Sequence, residues 1–278
     1  MHTHILMIHC RDESGLVYKI TSVLYRHQLN IISNDEFVER DSNWFFMRTE
    51  VSGEVNRAIL LQDLYALLPD GVEVKLTDNR KKKIVVLATK EYHCLSDLLV
   101  RHHYHDLNAT ILAVISNYDH LKDLTQKLAV PYYFIDHSNK SREQHEEEIL
   151  LLLQQFDLEF IVLAKYMRIL SPQFVAHYSN KIINIHHSFL PAFIGAHPYQ
   201  QAYNRGVKII GATAHFVNEN LDEGPIISQN VIHVDHSHNA KELAQTGRDI
   251  EKSVLARALK LVLNERVFVH HNKTIIFE

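Results

Sequence analysis

The sequence predicts an α/β chain in two parts, a small ferredoxin-like βαββαβ domain followed by a doubly wound, mostly parallel sheet. Three observations carry this expectation. A length of 278 residues is long for one core and comfortable for two. The rhythm of apolar runs changes near residue 80, from strands grouped around a hairpin to alternating strands and helices. The stretch Thr77-Asp78-Asn79-Arg80-Lys81-Lys82-Lys83 is polar and then basic where that change falls. Residues 1–78 and 84–278 are therefore read as domains and 79–83 as a solvated linker.

In the first part, the apolar run HILMIHC at 4–10 reads as a strand ending at RDESG. Leu16, Ile20, Val23 and Leu24 then fall at helical spacing. LNIISNDEFVER and NWFFMRTEVSG are β-rich runs around the polar turn Asp41-Ser42-Asn43, EVNRAILLQDLYALLP is helical, and GVEVKL closes the set as a strand. The order βαββαβ is the ferredoxin-like arrangement. In the second part KIVVLAT, TILAVIS, YYFI, EFIVLA and KIINIHH read as strands, separated by helical segments such as CLSDLLVRHHY and REQHEEEILLLLQQF. Such alternation winds a parallel sheet on both faces and places sites beyond the carboxyl ends of its strands. Asn239-Ala240-Lys241-Glu242 is a capping box for a final helix.

Composition narrows the function. Hydrophobic residues make up 46% and charged residues 22%, with no run of about 18 apolar residues, so a membrane partner is not expected. The opening Met1-His2-Thr3-His4-Ile5 lacks the features of a secretory signal, and the cysteines are Cys10 and Cys94, which fits a cytoplasmic location. A net charge of −4 lacks the basic footprint of a nucleic-acid partner and favours a small molecule. Of 21 histidines, two groups are clustered, His102, His103 and His105, then His233, His236 and His238. Neither has zinc-site spacing, so no metal is expected.

A candidate chemical centre lies in INIHHSFLPAFIGAHPY, residues 183–199. On a strand, Asn184 and His186 point to one face with Cα atoms about 6–7 Å apart. An amide and an imidazole emerging together polarise a carbonyl oxygen. The segment SFLPAFIGAHPY then turns away, leaving a cleft floor. The acid comes from NENLDEGP, where Gly224 and Pro225 fix a turn that holds Asp222 at the mouth of a neighbouring strand. His187 alternates to the other face and is expected to pack or to support the site from behind, and His215, before Phe216 inside a strand, is expected in the core. Ser188 has no G-x-S-x-G context and is not read as a nucleophile.

Two resemblances extend this reading. Asp12-Glu13-Ser14-Gly15-Leu16 and Asn30-Ile31 resemble the ACT family over roughly residues 4–77, with Gln28 where that family commonly has glycine. The resemblance implies an amino-acid effector bound near Asp12, Gly15 and Asn30. NIHHSFLPAF, GATAHFVNENLDEGPII and LAKYMRILS resemble the folate-dependent formyltransferase family from about residue 83 onward. With an ACT-like domain in front, the arrangement is most similar to its hydrolytic branch, the formyltetrahydrofolate deformylases. That implies 10-formyltetrahydrofolate as substrate, no permanently bound cofactor, Asn184, His186 and Asp222 around the formyl group, and Met167, Arg168, Ile169 and Leu170 along the pterin.

Transfer to an amine and a non-catalytic regulator that binds folate and an amino acid are the competing readings. Glu91, Tyr92 and His93 in ATKEYHCLSDLL are bulky or acidic where a phosphate-bearing acceptor would need small residues, which favours water. A methionyl-tRNA transformylase would be expected to continue past NKTIIFE into an RNA-binding domain. A homo-oligomer is expected, because so small an N-terminal sheet gains stability by association.

Overall fold

The computed structural model describes residues 3–191 and 198–278. They form two compact units, one of the described residues up to 80 with 264–268 and 275–278, the other of those from 81 to 263 with 269–274. The division falls inside the expected linker, but the end of the chain returns to the first unit, whereas the sequence reading assigned all of 84–278 to the second.

The first unit runs β1 (Thr3–Arg11), α1 (Leu16–Arg26), β2 (Asn30–Glu39), β3 (Trp44–Ser52), α2 (Arg57–Leu67) and β4 (Glu73–Asp78), with sheet order β2-β3-β1-β4 and every pairing antiparallel. Alternation along β1 explains its two layers. Leu6, Ile8 and Cys10 face a core with Leu16, Ile20 and Leu24 of α1 and Leu60 and Leu64 of α2. Ile5 and Met7 face the other way, onto Phe46, Phe268 and Phe277. Arg48, 2% exposed, donates from Nε to the carbonyl of Glu265 at 2.8 Å on the same side.

The second unit runs β5 (Lys82–Ala88), α3 (His93–His103), β6 (Ala109–Ser116), α4 (Lys122–Lys127), β7 (Tyr132–Phe134), α5 (Arg142–Leu153), β8 (Phe160–Ala164), α6 (Pro172–His177) and β9 (Ile182–His186). After it come α7 (Pro198–Arg205), β10 (Ile209–Phe216), β11 (Ile226–His233) and the 24-residue α8 (Ala240–Leu263); β12 (Val267–His270) and β13 (Lys273–Ile276) form a separate two-stranded sheet. The large sheet has the order β11-β10-β9-β8-β5-β6-β7. Pairings from β7 across to β9 are parallel, and β10 and then β11 extend the sheet beyond β9 by antiparallel pairing. Winding proceeds one way from β5 to β7 and the other way from β8, so the loops after β5 and β8 part at a topological switch point, where open α/β sheets hold ligands.

Lys82 departs from the expected solvated linker. It is a residue of β5, its side chain is turned inward at 3% exposure, and its ammonium lies 3.5 Å from Glu159. The cap of α8 is reciprocal, with Asn239 N donating to Glu242 Oε2 and Glu242 N to Asn239 Oδ1. Among the described residues, no helix is long and apolar enough to cross a membrane.

Candidate active site

A cleft of about 800 Å³ opens at the switch point. It is lined by the residues after β8, the end of β9, the turn between β10 and β11, and α8. Asn184, His186, Asp222, Met167, Arg168, Ile169 and Leu170 all contribute to its wall. The part of the expected cleft floor at 192–197 lies outside the described residues.

Each central side chain is placed by an identifiable constraint. Asn184 and His186 sit two apart on β9, and antiparallel pairing sets His215 directly opposite Asn184 and Thr213 opposite His186. A register shift between Ala214 and His215 falls at this level of β10, the kind of bulge that re-aims a side chain. His215 Nδ1 donates to the carbonyl of Phe216 at 2.9 Å, and its Nε2 takes the Asn184 amide at 3.2 Å. His215 is therefore buried, as expected of a core residue, but it also lines the cleft and orients Asn184. The sequence hides this role, because the antiparallel β9–β10 pairing is not written in either strand.

Asp222 is held in the left-handed region at φ 57°. Gly224 anchors its turn by close approach, since a Cβ there would stand 1.8 Å from the carbonyl oxygen of Phe216. Phe216 N donates to the carbonyl of Pro225, and Asn272 Nδ2 to that of Glu223, both at 2.9 Å. His186 Nδ1 lies 3.3 Å from Asp222 Oδ1, and His215 Nε2 lies 3.7 Å from the same oxygen. Burial pushes the Asp222 carboxyl up, but hydrogen bonding, to His186 foremost, outweighs it and holds the group well below the usual carboxylate range.

After β8, Met167 and Ile169 are 60% and 57% exposed, while Leu170 is buried at the cleft wall. Two exposed apolar side chains beside a concave site suit a flat hydrophobic ligand. The next turn is secured from beneath, because Ser171 caps α6 and its backbone N donates to the buried Glu146 at 2.9 Å.

The sequence reading missed several lining residues. His187 was expected on the other face, packing or supporting the site from behind; β9 ends at His186 and strand alternation ends with it, so His187 also lines the cleft, stacked on His186 with ring centroids 4.8 Å apart. Lys165, Tyr199 and Glu251 line it as well. Of the loop expected to exclude an acceptor, Glu91 and Tyr92 are exposed, whereas His93 is buried with Nε2 2.7 Å from Glu251. Burial pushes the Glu251 carboxyl up, yet the bond to His93, the charge of Lys165 and the Tyr199 hydroxyl together bring it to about 2. His93, Cys94 and Glu251 bring metal-ligand atoms within 4.8 Å of one another, but Lys165 already neutralises Glu251 and burial pushes the Cys94 thiol up, so the trio is a poor metal donor set.

The expected effector residues do not share a pocket within one chain. In the register of the small sheet, Arg11 pairs with Trp44 while Asn30 pairs with Ser52. Asn30 thus lies about 27 Å along β3 from the turn holding Asp12 and Gly15. Gly15 precedes α1 at φ 88°, and Gln28 takes φ 56°, a conformation glycine adopts more readily.

An amide, two imidazoles and an ionised carboxylate at the carboxyl edge of a doubly wound sheet, beside an apolar loop, define a formyl-transfer type of enzyme domain. The formyl transferase family model matches residues 82–259, and the ACT domain model matches 4–69. A formyltetrahydrofolate deformylase of Haemophilus influenzae is 53% identical over 98% of both chains, and one of Bacillus subtilis is 43% identical over 98% of this chain and 93% of its own. The crystal structure of a formyltetrahydrofolate deformylase from Pseudomonas syringae pv. tomato superposes with a TM-score of 0.96 at 40% identity, covering 100% of this chain and 95% of that one. A glycinamide ribonucleotide transformylase from Symbiobacterium toebii matches at 0.68 and 27% identity over 71% of this chain and 94% of its own. The chain belongs to the formyltetrahydrofolate deformylase family.

Proposed function

We propose that the protein hydrolyses 10-formyltetrahydrofolate to formate and tetrahydrofolate. The observation that carries this reading is the convergence of Asn184, His186 and Asp222 in one cleft with the Met167–Leu170 segment. The pterin lies along Met167 and Ile169, with Arg168 and Leu170 shaping the same wall. Asn184 and His186 donate to the formyl oxygen as it gains negative charge, and each such donor contributes about 10²–10³ in rate. His215 takes one amide hydrogen of Asn184, which leaves the second to point at the substrate.

Asp222 orients the water and accepts a proton as the oxygen adds to the formyl carbon. Its depressed pKa makes it a transient holder, so the proton passes on to the folate nitrogen as the carbon–nitrogen bond breaks. No permanently bound cofactor enters this scheme, and the folate is substrate. In the cell the formate would serve purine synthesis and the reaction would balance one-carbon pools. The free Cys10 and Cys94 suit a reducing cytoplasm. An amino-acid effector acting through a homo-oligomer completes the proposal. Purified protein given 10-formyltetrahydrofolate should release formate and tetrahydrofolate in equal amounts, and failure to release formate would overturn the reading.

A further inference from the structure

Lys165 follows β8 in the left-handed region, at φ 60°, a costly conformation for a residue with a side chain. Its side chain is 8% exposed, its ammonium lies 3.2 Å from Glu251 Oε2, and it donates to His187 Nδ1 at 3.1 Å. Glu251 is held in turn by His93 and by the Tyr199 hydroxyl, which donates at 2.6 Å. Gly247, one turn earlier on α8, makes room for that tyrosine, since a Cβ there would stand 2.1 Å from its hydroxyl oxygen. A buried ion pair contributes little net stability, so neither the backbone conformation nor the burial is explained by folding alone.

The position of Lys165 is the informative part. Leu163 pairs with Asn184, so Lys165 leaves β8 at the level where His186 leaves β9. Lys165, Glu251, His93 and Tyr199 all line the cleft that holds the formyl-transfer residues. A lone lysine would swing aside for a ligand, but this one is clamped at both of its partners.

We propose, on the hydrolytic reading above, that Lys165 is a specificity-determining residue whose clamped side chain fills the space an amine would need beside the formyl carbon. Water and an amine both add to that carbon, both lead to cleavage of its bond to the folate nitrogen, and both give that nitrogen a proton. Water yields formate and an amine yields a formamide. They differ in bulk, because an amine carries its substituent behind the attacking nitrogen, along the approach line.

The test measures formate and N-formylglycinamide together, using 10-formyltetrahydrofolate and excess glycinamide. Wild type without amine tests the hydrolytic reading by itself, and absence of formate there overturns both. With amine, wild type should still give formate, while Lys165→Gly, which suits the left-handed backbone, should raise the ratio of formylated amine to formate by about tenfold or more. Lys165→Asn, shorter and also tolerant of that backbone, should do the same and covers the case in which the glycine variant does not fold. Lys165→Met keeps the bulk without the charge and should stay within about twofold of the wild-type ratio. Formate as the sole product of the shortened variants, or an equal rise with Lys165→Met, would overturn the space-filling role.

Discussion

Asp222 meets opposed demands, since burial disfavours its charge while hydrogen bonding, to His186 foremost, preserves it. Asp222→Asn keeps the size and removes the proton acceptor. Its kcat is expected to fall by about 10²–10⁴ with folate affinity nearly unchanged, as read by single-turnover formate release and equilibrium binding. Near-normal turnover would remove Asp222 as the base. Arg168→Ala should instead weaken folate binding through lost packing and lost charge, and an unchanged dissociation constant would take Arg168 out of the site. Asn184 and His186 were legible in the sequence because period-two spacing on one strand is a local property. His215, Lys165 and Glu251 were not, because each owes its place to pairing or packing between distant segments, Lys165 to Glu251 most of all.

At the scale of elements, the turn after β10 and the helix α8 do most of the placing. Gly224 tolerates no Cβ against Phe216, so Gly224→Ala should shift Asp222 and lower kcat by about 10²-fold while leaving the far-ultraviolet spectrum intact. A variant with wild-type kcat would show that the turn does not set the carboxylate. Glu251 ties α8 to α3 and to the residue after β8. Because its folded pKa lies near 2 against an ordinary 4.5, its contribution is fully present above pH 4.5 and is lost as pH falls toward 2. Glu251→Gln should therefore cost stability at pH 6 and less at pH 3, in urea unfolding at both values. An equal loss at both pH values would contradict that linkage. The βαββαβ order and the later alternation could be read from the apolar pattern, whereas the buried Lys82 could not, since a basic run looks solvated until Glu159 is folded beside it.

At the scale of the molecule, the separation of Asn30 from Asp12 and Gly15 bears on regulation. A pocket using all three requires a second copy, so an amino-acid response should depend on association. Light scattering at micromolar concentration is expected to give a dimer or larger, and an amino-acid panel should change the rate of formate release. A monomer with no response would remove the regulatory reading.

The core of the first unit has a further consequence. Ile5, Met7 and Phe46 are covered by Phe268 and Phe277, and Arg48 finds its carbonyl partner at Glu265. A ribosome therefore releases the N-terminal sheet long before it makes the residues that seal one face. That face has no lid of its own until synthesis has passed Phe268 and Phe277. An excised fragment of residues 1–78 would keep this greasy side permanently open and should aggregate where the full chain stays dispersed.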